Sequence, residues 1–162
     1  MDKIMQKLEL RGMYRDKALK KCRKILNSWG LKLPEVAPSL LHFGLNDFYQ
    51  IGEMEFDVNN NIEQGYCGKF IFMFRDQTCP WHYHKIKHET FFVVKGKVEM
   101  EIPGEKVVMR QGDTKVMPQG IKHKFLALED ALILESSKPD LVDDSFFDDE
   151  RINKIIFGWH RP

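Results

Sequence analysis

Three cysteines, Cys22, Cys67 and Cys79, are too few and too unevenly spaced for a disulfide framework. No two of them stand at the Cys-x-x-Cys spacing of a structural zinc site. Free thiols suit a reducing compartment, so a cytoplasmic location is expected. No run approaches the roughly 20 consecutive apolar residues that a membrane span requires. The opening MDKIMQKLELRG has no apolar signal-peptide core, so neither membrane association nor export is expected. An excess of one charge is lacking too: 25 Lys and Arg stand against 24 Asp and Glu. That balance gives no reason to expect nucleic acid or another polyanion as a partner. Internal repeats and low-complexity tracts are also missing. What is there is 162 residues, 43% of them hydrophobic, with 12 phenylalanines, enough for a single domain with its own core.

Two regions differ in periodicity. In residues 1–33, a helical arm, Ala18, Leu19, Cys22, Ile25, Leu26 and Trp29 recur at i, i+3, i+4 spacing, and Gly30 is placed to end the helix. The opposite face carries Lys17, Lys20, Lys21, Arg23 and Lys24, which reads as a solvated face because no nucleic-acid-binding pattern accompanies it. The apolar stripe is expected to be buried on the barrel or on a partner chain. LPEVAPS then reads as a connector. Residues 45–162 read as short strands: FYQIGEMEF, GKFIFMF, ETFFVVKG, KVEMEI, EKVVMR, TKVMP, KHKFLAL and ALILES. DVNNNIEQG looks like a turn, KPDLVDDSFFDDERIN is acidic and irregular, and KIIFGWHRP reads as a closing strand. Many short strands with Gly and Pro between them imply an all-β antiparallel sandwich or barrel.

Three of the six histidines fall within residues 82–88. His82 and His84 are two apart, so on a strand they share a face. A short turn at Lys85 and Ile86 would set the next strand beside the first, with Glu89 facing both histidines. His123 follows the turn at Pro118 and Gly120. Three imidazoles and a carboxylate converging in a barrel suit a divalent first-row ion. His88 alternates with Glu89 and should point away, and His42 and His160 read as ordinary surface or satisfied core residues. Lys87, two before Glu89, would face the same cavity if it lies on the strand, and would reach solvent if it lies in a loop.

The spacing HxHxxxxExxxxxxG from His82 to Gly96, with GxxxxxPxGxxH from Gly112 to His123, resembles the two motifs of the cupins. The chain departs from them at Asp76 and Ala127, where a glycine and an asparagine are usual. The resemblance implies a cupin jelly-roll β-barrel with a metal inside, held by His82, His84, Glu89 and His123.

More specifically, QTCPWHYH, KHETFFVVKGKVEMEI, MPQGIKHKF and LESSKPDLVDDSFFDDERI, with YCGK at Tyr66–Lys69, resemble the cupin-type D-lyxose isomerases. That likeness implies manganese, with zinc, iron, cobalt or nickel as alternatives, a small sugar substrate and a homodimer. It implies that Lys87 is catalytic beside the metal and that Glu135 is an acid/base facing the same cavity. Lys87 near a metal is expected to have a lowered pKa, and Glu135 to be desolvated. Trp81, Tyr83, Phe91 and Phe125 are the aromatic candidates for the pocket, and Asp144, with Trp81 and Phe125, is a candidate substrate contact. The activity implied is metal-dependent interconversion of D-lyxose and D-xylulose, and of D-mannose and D-fructose. An iron dioxygenase would use the same ligands but gives no reason for Lys87 or the acidic tail, and a non-catalytic sugar-binding cupin of the regulatory type would be expected to carry a DNA-binding module, for which the sequence shows no pattern.

Overall fold

The computed structural model describes residues 3–158. A short helix α1 (Met5–Leu8) and a long helix α2 (Gly12–Ser28) precede the strands. One antiparallel sheet runs in the order β1 (Ser39–Leu41), β2 (Glu53–Asn61), β3 (Tyr66–Met73), β10 (Ala131–Ser137), β5 (Glu89–Lys95), β8 (Thr114–Met117). The second runs β11 (Ser145–Phe147), β4 (Thr78–His84), β9 (His123–Ala127), β6 (Lys97–Ile102), β7 (Glu105–Arg110). A 3₁₀ turn at Val142–Asp144 precedes β11, and helix α3 (Glu150–Phe157) follows it. The two sheets enclose Ile71, Phe91 and Val93 from one side and Val98, Met100 and Phe125 from the other. This is the expected cupin jelly roll with its helical arm.

Helix α2 packs on the outer face of the six-stranded sheet. Ala18, Leu19, Cys22 and Leu26 meet Met54, Phe56, Phe72, Phe74 and Leu132, and the half-buried Trp29 ring sits 6.0 Å from Phe72. That sheet is therefore covered on both faces, which is why FIFMF and ALIL are unbroken apolar runs and not alternating ones. The same cover explains β2: Met54 and Phe56 face the helix, so Glu53 and Glu55 face the barrel interior. Leu26→Ala should lower the unfolding free energy by about 3 kcal/mol, the usual scale for a buried leucine that leaves a cavity. Urea denaturation would read this, and an unchanged midpoint would mean that α2 contributes no packing.

Several boundaries differ from the sequence reading. DVNNN continues β2 across a bulge between Asp57 and Asn59, and the turn is confined to the next few residues. The Asn side chains there are hydrogen-bonded: Asn59 donates to the Tyr66 hydroxyl at 2.8 Å, Asn60 donates to the Asp140 carbonyl and accepts its N–H, both at 2.9 Å, and Asn61 accepts the Gln64 N–H at 2.9 Å. KIIF is the end of α3 and not a closing strand, while residues 159–162, including His160, lie outside the described residues. Asp149 caps this helix by accepting the Arg151 backbone N–H at 2.9 Å, and Ile152 and Ile156 insert into the core. Strands β4 and β5 do not pair as a hairpin, since they lie in opposite sheets. Glu89 consequently faces the histidines across the barrel.

Two backbone positions explain the motif. Asp76 takes φ +70°, the left-handed conformation for which a glycine is the usual solution. Gly96 takes φ +81°, and a Cβ there would come 2.1 Å from the Asp130 carbonyl oxygen.

Candidate metal centre

His82 and His84 project from one face of β4, and His123 lies directly opposite His82 in the β4–β9 register. Each ring is fixed by its Nδ1, which donates to a backbone carbonyl that can only accept. His82 bonds Pro80 at 2.8 Å, His84 bonds Asp144 at 3.0 Å and His123 bonds Ile121 at 3.0 Å. The proton is thereby held on Nδ1, and each Nε2 keeps its lone pair. Ligand atoms of the three rings lie within 4.8 Å of one another. Burial lowers all three imidazole pKa values, His84 to about 4, so the rings are neutral, the form that binds metals.

From the other sheet, Glu89 brings Oε1 to 3.4 Å from His84 Nε2 and Oε2 to 3.3 Å from His123 Nε2. Carboxylate oxygens thus face nitrogen lone pairs. Two acceptors gain from such proximity only with a metal ion or a proton between them, and burial does raise the Glu89 pKa. His123 Nε2, fully buried, has no hydrogen-bond partner among the described residues. The cavity shared by these groups is lined by five carboxyls, Glu53, Glu55, Glu89, Glu135 and Asp140, against two ammoniums, Lys69 and Lys87. A divalent cation would offset most of that excess negative charge. Neutral imidazoles, an opposed carboxylate and a net negative cavity fit such an ion.

Lys87 is the centre of the second half of the site. Its Nζ lies 2.6 Å from Glu135, 3.0 Å from Glu89 and 3.1 Å from Asp140. It precedes β5 in the turn, yet it is only 3% exposed. The expected lowering of its pKa is overturned. Burial and Lys69 do push it down, but Glu135, Asp140 and Glu89 outweigh them and hold it above the ordinary lysine value. Glu135 is likewise pushed up by burial but brought below its ordinary value by Lys69 and Lys87. The pair is an ammonium and a carboxylate.

Lys69 extends the network, 2.5 Å from Glu55, 2.8 Å from Asp140 and 3.7 Å from Glu135. Burial works to raise the Asp140 pKa, but Lys69 and Lys87 hold it well below the usual carboxylate range. A depressed native pKa adds stability above the unfolded value, about 3.9, and that stability is lost as pH falls through the native one. Asp140→Asn should therefore flatten the decline of unfolding free energy below about pH 4.5. Urea melts at stepped pH would show it, and a slope equal to wild type would exclude the effect.

Phe125 and Phe91 line the cavity as expected. Trp81 does not: strand alternation turns it outward, where its ring lies under Lys124, 5.5 Å from Nζ. Tyr83 is also outside, stacked on Phe146 at 5.2 Å. The Asp144 side chain is buried, but not as a substrate contact. Its carboxylate accepts the backbone N–H groups of Lys85 at 3.0 Å, Ile86 at 3.1 Å and Lys87 at 2.9 Å. It folds the turn that delivers Lys87, while its own carbonyl orients His84. His42 is a satisfied core residue whose Nδ1 accepts from Gly44 N–H at 3.0 Å, and His88 is half-buried outside the cavity lining. Sequence reasoning missed Glu53, Glu55 and Asp140, and noted Lys69 only within YCGK. The signal for the first two was the alternation in GEMEF, read with a covering helix.

The cavity measures about 220 Å³, and the apolar part of its wall includes Met5, Leu8, Leu41, Phe43, Phe147 and Ile156. Helices α1 and α3 both contribute to that wall. The volume is below the roughly 300–1,000 Å³ of sites for drug-sized ligands, which limits the occupant to a small molecule.

Comparison with known proteins agrees with this architecture. Residues 70–135 match the family model described as the cupin domain. The D-lyxose ketol-isomerase of Thermofilum sp. (strain ex4484_79) is 28% identical over 142 residues, covering 70% of this chain and 77% of that protein. The L-ribose isomerase of Cellulomonas parahominis, solved with L-psicose, shares the fold with a TM-score of 0.73 at 14% identity, over 92% of this chain and 97% of that one. The Acinetobacter sp. DL28 L-ribose isomerase in complex with L-ribose gives 0.71 at 14% identity, over 93% and 97%. Two facing antiparallel sheets, a histidine cluster between them and the domain matched over residues 70–135 give this chain a cupin jelly-roll fold.

Proposed function

We propose that the chain is a metal-dependent aldose–ketose isomerase, converting D-lyxose to D-xylulose and D-mannose to D-fructose. The observation that carries this reading is Lys87, a buried ammonium bridging Glu135 and Glu89 beside three metal-competent imidazoles. The named activity of the Thermofilum relative supports the substrate class. His82, His84, Glu89 and His123 would hold the ion, taken as manganese, and it would polarise the carbonyl and hydroxyl oxygens of the sugar.

The reaction moves one proton from C2 to C1 and another from O2 to O1. Glu135, kept ionised by two ammoniums, takes the proton from C2 and returns it to C1. Lys87 donates hydrogen bonds to the sugar oxygens and stabilises the charge that develops on them. Held as an ammonium, it does not serve as the carbon base. Asp144 fixes the turn on which Lys87 depends. Burial of the whole cluster excludes bulk water and strengthens each of these interactions. The same reading takes the protein as a cytoplasmic homodimer, by likeness to the D-lyxose isomerases.

The test is a screen of free pentoses and hexoses with the manganese-loaded protein in deuterium oxide. Turnover should be greatest with D-lyxose or D-mannose, and deuterium should appear at the carbon that receives the proton. Absence of turnover with every aldose and ketose would end the isomerase reading, and oxygen uptake in its place would favour the iron dioxygenase.

A further inference from the structure

Strand β2 carries one residue too many for its partner. Up to Asp57 it alternates simply against β3, with Glu53 and Glu55 on the cavity side and Met54 and Phe56 under helix α2. Between Asp57 and Asn59 the register shifts, and Val58 is left without a partner on β3. An extra residue of this kind exchanges the faces of everything beyond it. Unbroken alternation would send Asn59 inward after Asp57. With the bulge, Asn59 stands opposite Gly68 and Asn60 stands opposite Cys67. Cys67 is two residues before the cavity-lining Lys69 and shares its face, so Asn60 is the residue turned to the inner side.

There Asn60 meets the backbone of Asp140. Its Nδ2 donates to the Asp140 carbonyl at 2.9 Å, and its Oδ1 accepts the Asp140 N–H at 2.9 Å. One side chain thus occupies both backbone groups of a residue 80 positions away, as a neighbouring strand would. Asp140 needs such a tie, because it lies between β10 and the 3₁₀ turn, outside any strand. Its carboxylate joins the two buried ammoniums, 2.8 Å from Lys69 and 3.1 Å from Lys87. Asn60 itself is exposed and lines no part of the cavity.

We propose that the β2 bulge and Asn60 form a clamp in which Asn60 is a positioning residue, fixing the Asp140 backbone so that the Asp140 carboxylate holds Lys87 in place for the reaction. The effect on turnover rests on the isomerase reading, and the clamp on Asp140 does not. Lys69 also pairs with Glu55 and Glu135, and Lys87 with Glu135 and Glu89, so both ammoniums have other carboxylates to turn to. Released from Asn60, Asp140 moves toward solvent, and Lys87 relaxes toward Glu135 and Glu89.

The experiment compares Asn60→Ala, Asp140→Asn, the double variant and Asn59→Ala, all in the full chain. Asn60 is exposed, so alanine there leaves no cavity in the core. Asn59→Ala is the control, since it removes a hydrogen bond of the same hairpin that goes only to the Tyr66 hydroxyl. Urea melts at stepped pH read the clamp directly. The stability that Asp140 gains from Lys69 and Lys87 is lost as pH falls, so a loosened Asp140 has less to lose. Asn60→Ala should show a shallower decline below about pH 4.5, in the direction of Asp140→Asn. The double variant should decline as Asp140→Asn alone does, and Asn59→Ala as wild type does. A wild-type slope in Asn60→Ala, or a double variant that sums the two changes, would overturn the clamp.

Sugar turnover with manganese reads the consequence. For Asn60→Ala kcat should fall about tenfold or more, with KM and metal content little changed, the pattern of a displaced transition-state contact. The double variant should be no slower than Asp140→Asn, and Asn59→Ala should match wild type. Wild-type kcat in Asn60→Ala, or an equal fall in Asn59→Ala, would overturn the positioning role. A wild type that turns over no sugar removes the isomerase reading and leaves the melts to decide the clamp. Turnover with a wild-type slope in Asn60→Ala does the reverse.

Discussion

His82→Ala should yield a folded protein that no longer retains one divalent ion per chain and whose isomerase turnover has fallen about 10³-fold or more. The expectation follows from how the three rings are held. Each imidazole is oriented by a carbonyl on its Nδ1 side, so no other side chain is positioned to move an Nε2 into the lost place. His82 is also stacked on Phe147 at 5.4 Å, and the alanine leaves a gap on the cavity side of the core. That gap is modest beside the interior clusters on both faces of the six-stranded sheet, so folding should persist. Metal analysis after dialysis and circular dichroism separate the two consequences. A metal-replete, active His82→Ala protein would falsify the ligand set.

The histidines were legible in the sequence because their geometry is local. A spacing of two on a strand forces a shared face whatever the partner strand is. Glu89 was found by its spacing, but its route to the site was misjudged, because sheet membership of β4 and β5 depends on long-range pairing. Trp81 and Asp144 show the limit from the other side. Trp81 sits one residue from His82, and alternation alone places it outside. Asp144 is buried, but its function is spent on three backbone N–H groups. Glu53 and Glu55 were hidden because acidic residues alternating with Met54 and Phe56 look like a solvent face. Only once helix α2 is seen to cover the apolar side do the glutamates turn inward. Helix α3 was open to a better reading: Asp149 followed by Ile152, Ile155 and Ile156 is a capped amphipathic pattern.

The second large effect concerns Lys87 and Glu135, and here the structure predicts two losses together. Lys87→Met removes a cation from contact with Glu135, Glu89 and Asp140, all within 3.1 Å. Deleting one partner of a buried ion cluster leaves the others uncompensated, at a cost of about 3–5 kcal/mol. Against a total stability of roughly 5–15 kcal/mol, the variant should still fold at low temperature, with a clearly lower urea midpoint. Turnover measured there should be lower by about 10²–10⁴-fold, because the donor proposed to stabilise charge on the sugar oxygens is gone. Glu135→Gln separates stability from chemistry. The amide keeps the shape and can still accept from Lys87, and Lys69 retains Glu55 and Asp140, so the destabilisation should be smaller. The loss of turnover should be as large, and solvent deuterium should no longer enter the sugar, since an amide cannot take the C2 proton. Lys87→Met retaining near wild-type turnover would remove Lys87 from the reaction. Glu135→Gln that still exchanges the C2 proton with solvent would move the base elsewhere in the cavity, with Glu89 the next carboxylate in reach of Lys87.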